Sequence, residues 1–455
     1  MKSRIGLIEL ILIATLLSPL FWALDAGAET AATPTPVSSQ ERWIDLSAVM
    51  QTVILWKSDS DFDATKPKYD EDGQTIGIAA TLFQPKLALN VYKNLRLYYE
   101  LELGLNVWSK NDPDQYDPTA DDAFFLKHRE AYSEGSFLSD RLGFKVGYQH
   151  YRDPTGLFLA DWLGAATLWA KLDETKLSLT FGQAPDATYE GFIVTENNFV
   201  HDTFTLNLLA TSPIAKSLIL NAGVFSLIDS HVIGRSLWLV NPLLSVVLNL
   251  DNCLASLSAM LQFGRSEFGV ADVDARHFAW AIEAHGELYL PLFALYLNGL
   301  LLSPDDEYNR NDFNGAFYYS GKNRSATLLL TENEVRDRYD NYDERMGVKD
   351  GGFYLLRTGL FVFDAKLESR VWEIFRPALI SGVALALEPK NALDNRFVGT
   401  EIDADMAFYW ERALSFHLIG GVFLPGEAGA ALINDIDRES EEKVFFLETS
   451  LSVVF

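Results

Sequence analysis

The sequence predicts an all-β protein, a single antiparallel transmembrane β-barrel of about 18 strands with short periplasmic turns and long outer loops. Three observations predict it. Apolar and polar residues alternate with a period of two, over stretches longer than the strands of most soluble proteins. Short and long connections alternate along the chain. The first 28 residues have the character of a secretory signal peptide.

The composition agrees with a membrane barrel and excludes several other classes. The 455 residues are 48% hydrophobic and 13% aromatic, and the formal net charge is −26. Such a chain is too apolar to be an acidic disordered protein, and it lacks the basic surface that nucleic-acid binding requires. The lone Cys253 excludes an intramolecular disulfide and a multi-cysteine zinc site. No mature stretch of about 18 apolar residues indicates a membrane helix.

The amino terminus predicts export to the bacterial outer membrane. A positive region at Lys2 and Arg4 precedes an apolar core, and Ala26-Gly27-Ala28 has the small-residue pattern of a cleavage site. The chain then divides into three predicted segments, namely a signal peptide over 1–28, a periplasmic leader over 29–44 and the barrel over 45–455.

The clearest predicted strand runs from Leu95 to Trp108. Its odd-numbered residues are apolar, whereas its even-numbered residues include Arg96, Glu100 and Glu102. One face of such a strand would contact lipid and the other the lumen, and a tilted transmembrane strand needs about 9–11 residues. Similar alternation occurs over 277–290, 370–387 and 443–455.

The connections predict the number of strands. About eight tight breaks separate about nine longer polar segments, which together imply an even count near 18. Tight breaks are predicted at 212–216 and 366–369, among others. Most of the negative charge lies in the longer segments. The longest, 304–351, is acidic and rich in Tyr, and it could fold inward as a plug or lid.

The last strand predicts a partner in assembly. Val453-Val454-Phe455 lies inside an alternating segment, and a terminal aromatic strand is similar to the signal that barrel-assembly machinery recognises. Further predicted partners are outer-membrane lipid, lipopolysaccharide and the transported solute or polysaccharide. We expect a monomer without a bound cofactor and without a nucleic-acid partner.

No catalytic pattern is recognisable. Nucleophile-elbow, zinc-protease, phosphate-loop and dinucleotide-binding motifs are all absent. His277 and His285 share a strand face with Glu283 and Glu287, and such a row could bind a metal ion. A wetted face of the lumen is the more common explanation. We therefore expect neither an enzyme nor a metal site.

Charged residues of both signs lie opposite the predicted lipid-facing sides of the strands. They could form salt bridges that brace the wall or line a selective pore. On the fourth strand, we place Arg129 on the same face as Ala131 and Ser133. The candidate pore-lining residues are Arg129, Lys145, Gln149, Arg370, Arg376, Glu401, Asp403 and Asp405.

Four segments resemble the bacterial alginate export family. The segments 128–132 (His-Arg-Glu-Ala-Tyr) and 142–149 (Leu-Gly-Phe-Lys-Val-Gly-Tyr-Gln) resemble its paired strands, in which Arg-Glu-aromatic is followed by Gly-Arg-Gln. The segments 399–403 (Gly-Thr-Glu-Ile-Asp) and 420–428 (Gly-Gly-Val-Phe-Leu-Pro-Gly-Glu-Ala) resemble its closing hairpin.

This resemblance implies a monomeric barrel of 18 strands that conducts a polymer or small solutes, with Gln149, Glu401 and Asp403 in the lumen. Tyr148 stands where the family typically has Arg. Arg129, Lys145, Arg370 and Arg376 could supply the positive charge instead.

The sequence thus predicts a passive channel for a polysaccharide or for small polar or charged solutes. The alternative is a plugged surface barrel with a binding or structural role in the envelope. The segment 304–351 suggests this alternative.

Overall fold

A computed structural model describes most of the barrel. The described residues are 43–57, 76–105, 124–184, 203–229, 235–268, 273–305, 313–319, 325, 327, 354–355, 358–392, 394–411, 413–429 and 443–455. All of them belong to one unit, Arg42–Phe455. The predicted signal peptide and nearly all of the predicted leader lie outside them, as does most of 304–351.

The described residues are almost entirely strands. The strands are β1 (Ile44–Lys57), β2 (Ile76–Tyr92), β3 (Leu95–Leu105), β4 (Phe124–Phe137), β5 (Leu142–Arg152), β6 (Ala160–Leu172), β7 (Thr175–Ala184), β8 (Thr203–Ala215), β9 (Leu218–Asp229), β10 (Arg235–Leu250), β11 (Cys253–Phe268), β12 (Val273–Tyr289), β13 (Phe293–Leu302), β14 (Phe313–Asn314), β15 (Tyr318–Tyr319), β16 (Tyr354–Leu355), β17 (Leu360–Ser369), β18 (Phe375–Leu385), β19 (Phe397–Trp410), β20 (Leu414–Pro425) and β21 (Val444–Val454). Within these ranges, helix is limited to a 3₁₀ turn at Pro389–Ala392 and one turn at 427–429. No helix in the described part of the chain could cross a bilayer.

Eighteen long strands form one closed antiparallel barrel. Each strand pairs with the next long strand along the chain, with β13 joined to β17. The ladder between β1 and β21, from Val49↔Val454 to Lys57↔Phe446, closes the wall. The prediction of a closed antiparallel barrel of about 18 strands is confirmed. The first strand begins at Ile44, one residue before the predicted start of the barrel.

Short turns lie at one end of the barrel, the turn end, and long connections lie at the other, the loop end. Two predicted breaks were misplaced. Residues 212–215 lie within β8, where Pro213 is accommodated by a shift of register against β9. Residues 366–369 belong to β17, where Lys366 and Glu368 face the lumen. Arg370 therefore lies in the turn 370–374 and not at the start of a strand.

The outer face of the wall is apolar. On β19, for example, Ile402 is 43% exposed while the next residue, Asp403, is 1% exposed. Aromatic side chains flank the apolar region at both ends. Phe375 and Phe408 stack 4.7 Å apart near the turn end, and Phe263 and Phe278 lie 5.4 Å apart near the loop end. A closed wall with this outer face fits a bilayer, which agrees with the predicted outer-membrane location.

The interior of the barrel has two zones. Towards the loop end, inward side chains such as Phe225, Phe423 and Phe446 form a buried apolar core, and two connecting segments, 157–159 and 316–318, pack into it. Towards the turn end, the inward faces carry charged and aromatic side chains joined by hydrogen bonds and ion pairs. The second zone is therefore the candidate for contact with a polar solute.

A β-bulge interrupts β4. Glu100 pairs with Glu130, but Leu101 pairs with His128, so Arg129 is the extra residue. Beyond the bulge, Tyr132 lies opposite the inward Gly147, and it is Tyr132 rather than Ala131 that faces the lumen. The prediction that Ala131 and Ser133 lie on the lumenal face is wrong because the bulge changes the phase of the alternation.

Candidate functional site

A first charged network, the acidic-side network, crosses the inner faces of β12, β13 and β17. The two ring nitrogens of His285 lie 2.6 Å from Asn298 Oδ1 and 2.8 Å from Glu287 Oε1. The amide of Asn298 in turn donates to Asp364 Oδ1 at 2.7 Å. These bonds join three neighbouring strands at one level of the barrel.

The same network continues across β17 to β20. Lys366 Nζ lies 3.6 Å from Asp405 Oδ2 and 3.9 Å from Glu368 Oε2. The other oxygen of Asp405 lies 3.2 Å from His417 Nδ1. Arg376 Nη1 lies 4.0 Å from Glu368 Oε1, so Glu368 is shared between two cations.

Aromatic rings border this network at the turn end. The Tyr289 hydroxyl donates to Glu287, and its ring packs edge-on against Tyr296. Arg376 lies over the ring of Tyr409, and Arg370, from its turn, lies 5.5 Å from the Tyr289 ring centre. Polar hydroxyls and flat apolar surfaces thus occur side by side on this part of the wall.

A second network, the balanced network, crosses β2 to β4. Glu100 accepts from the Tyr98 hydroxyl at 2.6 Å, and its carboxylate lies 3.2 Å from Lys86 Nζ. Glu102 accepts from Gln84 at 2.8 Å and forms an ion pair with Arg129. Each of the two carboxylates is therefore matched by one cation.

The balanced network extends towards the turn end through stacked rings. Arg96 Nη1 lies 3.4 Å from Glu134 Oε1. Tyr98 and Tyr132 stack with ring centres 4.9 Å apart, and Lys145 Nζ lies 3.8 Å from the centre of the Tyr132 ring. Cation–π contacts of this kind hold a charge without a counter-ion.

Between the two networks, most of the described inward groups from β6 to β11 are neutral and polar, and Lys176 lies over the Trp169 ring near the turn end. The neutral hydroxyls and amides pair across neighbouring strands, as in Thr167 with Thr180 at 2.9 Å and Ser258 with Ser245 at 2.9 Å. Such pairs satisfy inward polar groups without charge. Among the described residues, the paired charged groups of the inner wall are therefore concentrated in two sectors, with a mainly neutral sector between them.

The residues predicted to line the pore fall into three groups. Arg129, Lys145, Arg376 and Asp405 belong to the two networks. Gln149, Glu401 and Asp403 also face inward, but all three are buried. Gln149 donates to the carbonyl of Ala165 at 3.1 Å, which ties it to the wall. Arg370 lies in a turn beside Tyr289.

Asp403 depends on a glycine of the next strand. A Cβ atom at Gly421 would overlap the Asp403 carboxylate and the Phe446 ring. The absence of a side chain at Gly421 thus makes room for a buried carboxylate on the inner face. Asp403 and Gly421 belong to the two segments that resemble a closing hairpin, and here the two residues pack against each other.

The segment 153–159 is folded around one buried carboxylate. Asp153 accepts hydrogen bonds from the backbone N–H groups of Thr155, Gly156, Phe158 and Leu159, at 2.7–3.0 Å. This arrangement holds the apolar segment 157–159 inside the barrel. Residues 153–161 form one of the longer polar connections predicted on the outer side of the barrel, and the structure places 157–159 inside it. The sequence contains a signal for this inward fold. An apolar run directly follows Asp-Pro-Thr-Gly, which is a turn-forming pattern.

The segment 313–319 also enters the barrel. Its residues 313–314 pair in parallel with β12, and Ser303 Oγ donates to the carbonyl of Gly315 at 2.7 Å. Gln262 on β11 binds the backbone of Tyr318 through both ends of its side-chain amide. This described piece of 304–351 packs against the inner wall, and Gln262 is a contact that the sequence did not suggest.

The chemistry of the site is that of binding and passage. Charged, amide and phenol groups are held in fixed positions on the inner wall, where they can replace water around a polar solute. In the part of the chain that the structure describes, no cluster of three or more His, Cys, Asp or Glu side chains could hold a metal ion.

No protein-family model and no curated protein matches the chain. Solved structures do match it. Pseudomonas aeruginosa OccK8 (OprE) is 8% identical, over 90% of this chain and 98% of that one, with a TM-score of 0.55. P. aeruginosa OpdK with vanillate is 9% identical, over 90% and 98%, with a TM-score of 0.55. Acinetobacter baumannii OccAB1 is 10% identical, over 94% and 99%, with a TM-score of 0.54.

These neighbours are outer-membrane porins and not enzymes. At such low identity the likeness establishes a common fold. The resemblance to the alginate export family is not supported by these comparisons.

Proposed function

We propose that this barrel is an outer-membrane channel for small polar or charged solutes, which move along the charged networks of its turn-side zone. The observation that carries the proposal is the partial exposure of charged groups that face inward. The side chains of Arg376 and Arg96 are 41% and 40% exposed although both belong to ion pairs. Groups used only to brace the wall would be covered by their partners.

The charge of the acidic-side network supports a weak preference for cations. Every cation of the networks named above has a carboxylate partner or an aromatic ring. On the acidic-side network, carboxylates outnumber cations among the described residues. These carboxylates are Glu287, Asp364, Glu368 and Asp405, and the cations are Lys366 and Arg376. Carboxylates in a pore wall favour cationic groups.

Small solutes fit these observations better than a polymer does. The apolar core and the inward segments 157–159 and 316–318 occupy space at the loop end. An anionic polysaccharide would also meet the carboxylates of the acidic-side network. Among the neighbours, OpdK was crystallised with vanillate, which is a small molecule and not a polymer. Export of an alginate-like polysaccharide is a more specific alternative, and none of these observations supports it.

Planar-bilayer recording of the refolded full chain tests the proposal. We expect steady conductance with a modest preference for potassium over chloride. Proteoliposomes should swell in amino acids and monosaccharides but not in a polyuronate oligosaccharide. A matched preparation without protein provides the baseline. Absence of conductance under all voltages and salts, both in the wild type and in the Gln262→Ala variant, would overturn the channel function.

A plugged surface barrel is the second candidate. The specific observation in its favour is the anchoring of 315–318 by Gln262 and Ser303 inside the barrel. This candidate predicts a silent wild-type protein. It is favoured over the channel if the wild type and Gln262→Ala are both silent while the folded protein captures a soluble or envelope partner.

A further inference from the structure

Three cations lie side by side where the inner wall meets the turn end. Arg141, directly before β5, is the neighbour of Lys171 on β6, since the Lys171 N–H donates to the Arg141 carbonyl at 2.7 Å. Lys171 in turn lies opposite Lys176 on β7. All three residues are exposed. We call this set the cationic row.

The alternation of β6 and β7 turns the two lysines towards the lumen. Thr167 and Thr180 lie opposite each other, form a hydrogen bond and face inward, and Thr180 is 2% exposed. Lys171 and Lys176 lie four residues nearer the turn end on the same two strands, so they have the same orientation. The next residue of β6 after Lys171 is the outward Leu172, which is 61% exposed.

The cationic row forms no ion pair with any described residue. On the inner wall of the described chain, the ion pairs of lysine and arginine side chains all lie in the two networks. Asp140, Asp173 and Glu174 lie in the adjoining turns and are exposed. Like charges directly opposite each other on neighbouring strands destabilise a sheet. An anion between Lys171 and Lys176 would therefore stabilise this edge of the wall.

An indole ring lies one step deeper on the same wall. Trp169 faces inward from β6, and an added Cβ atom at Gly143 of β5 would overlap its ring. The ring therefore covers the inner side of the wall next to the cationic row. Lys176 Nζ lies 5.1 Å from the ring centre. Trp169 is only partly buried, so a flat group in the lumen can contact it.

We propose that the cationic row and Trp169 bind a small solute in which a phosphate group is joined to a flat ring, as in a nucleoside monophosphate. A phosphate ester carries up to two negative charges and three acceptor oxygens, which suits three adjacent cations better than a single carboxylate does. Lysine and arginine side chains both bind phosphate in proteins. The flat ring of the solute stacks on the indole beside the row.

The site deepens the proposed channel function, because it names a class of solute, and passage of that solute rests on the channel. Binding at the row does not require passage and can be measured by itself. The row also lies on other strands than the acidic-side network, which crosses β12 to β20. A local site for an anion is therefore compatible with a weak preference for cations along that network.

Equilibrium dialysis of the full chain in detergent micelles tests the site, with adenosine monophosphate as the probe. This probe should bind about ten-fold more tightly than adenosine, inorganic phosphate or benzoate, each of which lacks either the phosphate or the ring. Lys171→Gln/Lys176→Gln should weaken its binding about ten-fold, whereas Lys171→Arg/Lys176→Arg keeps both charges and should stay within about three-fold of the wild type. Trp169→Leu should lower the affinity to about that of inorganic phosphate.

The control variant is Lys93→Gln/Lys216→Gln, which removes two exposed charges from other turns. It should bind adenosine monophosphate as the wild type does, and an equal loss of affinity there would overturn the site. Equal binding by the wild type and Lys171→Gln/Lys176→Gln would overturn it too. So would equal binding of adenosine monophosphate and either benzoate or inorganic phosphate.

Thermal unfolding, followed by gel migration, separates binding from folding. Because the loss of two like charges relieves repulsion, Lys171→Gln/Lys176→Gln should unfold at the wild-type temperature or slightly above it. A lower temperature, or a failure to fold, would show that the row stabilises the wall through a partner of its own, and the proposal would be rejected. Planar-bilayer recording distinguishes the two proposals. Silent bilayers with intact binding would reject the channel alone, and conductance without binding would reject the site alone.

Discussion

The side-chain amide of Gln262 pairs with the backbone of Tyr318 as a neighbouring strand would. Its Nε2 donates to the Tyr318 carbonyl at 3.1 Å, and its Oε1 accepts from the Tyr318 N–H at 2.9 Å. The same Nε2 also donates to Asn241 Oδ1 at 2.9 Å. A residue of the wall thus fixes a connecting segment inside the barrel through both backbone groups of one residue.

Replacement of this amide should release the segment. In Gln262→Ala, the Tyr318 N–H and C=O lose their hydrogen bonds to the Gln262 side chain, and the free energy of unfolding should fall by about 1–3 kcal/mol. We expect single-channel conductance to rise and to fluctuate more. Ser258→Ala is the control, because Ser258 is buried on the same strand and bonds only within the wall, to Ser245. Identical conductance in Gln262→Ala and the wild type would show that 315–318 does not limit the path.

Asp153 should be a determinant of stability. In Asp153→Ala, four backbone N–H groups of a buried segment lose the carboxylate that accepts their hydrogen bonds. We expect a loss of about 3 kcal/mol in the free energy of unfolding, measured by urea titration of tryptophan fluorescence in micelles. Asp251→Ala removes an exposed carboxylate from a turn and should have little effect. A similar loss in both variants would contradict the role of Asp153.

Adjacent glycines on β20 provide a matched comparison. Gly421→Ala places a methyl group against Asp403 and Phe446, whereas at Gly420 the nearest atom to an added Cβ is 3.6 Å away, on Leu447. The first variant should be less stable by about 1–3 kcal/mol, and the second should behave as the wild type. Thermal unfolding, followed by gel migration, distinguishes them. If Gly421→Ala unfolds at the wild-type temperature, the wall can move away from Asp403.

Ion selectivity should respond to Glu368 and Arg376 in opposite directions. Glu368→Gln removes the anion shared by Lys366 and Arg376, so the permeability ratio of potassium to chloride should fall by about two-fold. Arg376→Gln should raise this ratio by a similar factor. Reversal potentials in a salt gradient measure both. The controls Glu411→Gln and Lys216→Gln change the same charges in turns, and shifts of equal size there would locate the effect outside the lumen.

The wall could be predicted from the sequence because lipid and lumen impose opposite polarity on successive residues. Ile402 and Asp403 show this rule within one strand. The alternation of short turns and long loops then predicted an even number of strands. Polar residues that face the lumen were the main source of error, since Lys366 and Glu368 resemble a turn in the sequence although they lie in β17.

The contacts of the candidate site could be predicted only in part. Period two places Lys145 and Asp405 on inner faces, but it does not say which residues of other strands they meet. The bulge at Arg129 changes the phase of β4 without a local signal. Gln262 and Tyr318 are 56 residues apart, and no pattern within either segment indicates that they meet. Long-range register decides such contacts.

The ladder between β1 and β21 has a consequence for biogenesis. Every other ladder of the wall joins strands that follow one another along the chain, so it can grow from an edge already formed. The last ladder has no connecting turn, and its formation must close a ring of several hundred residues. Until it forms, the sheet has two open edges that can pair with other chains. The seam between Val49 and Val454 is therefore the point at which an aggregation-prone ribbon becomes a sealed cylinder.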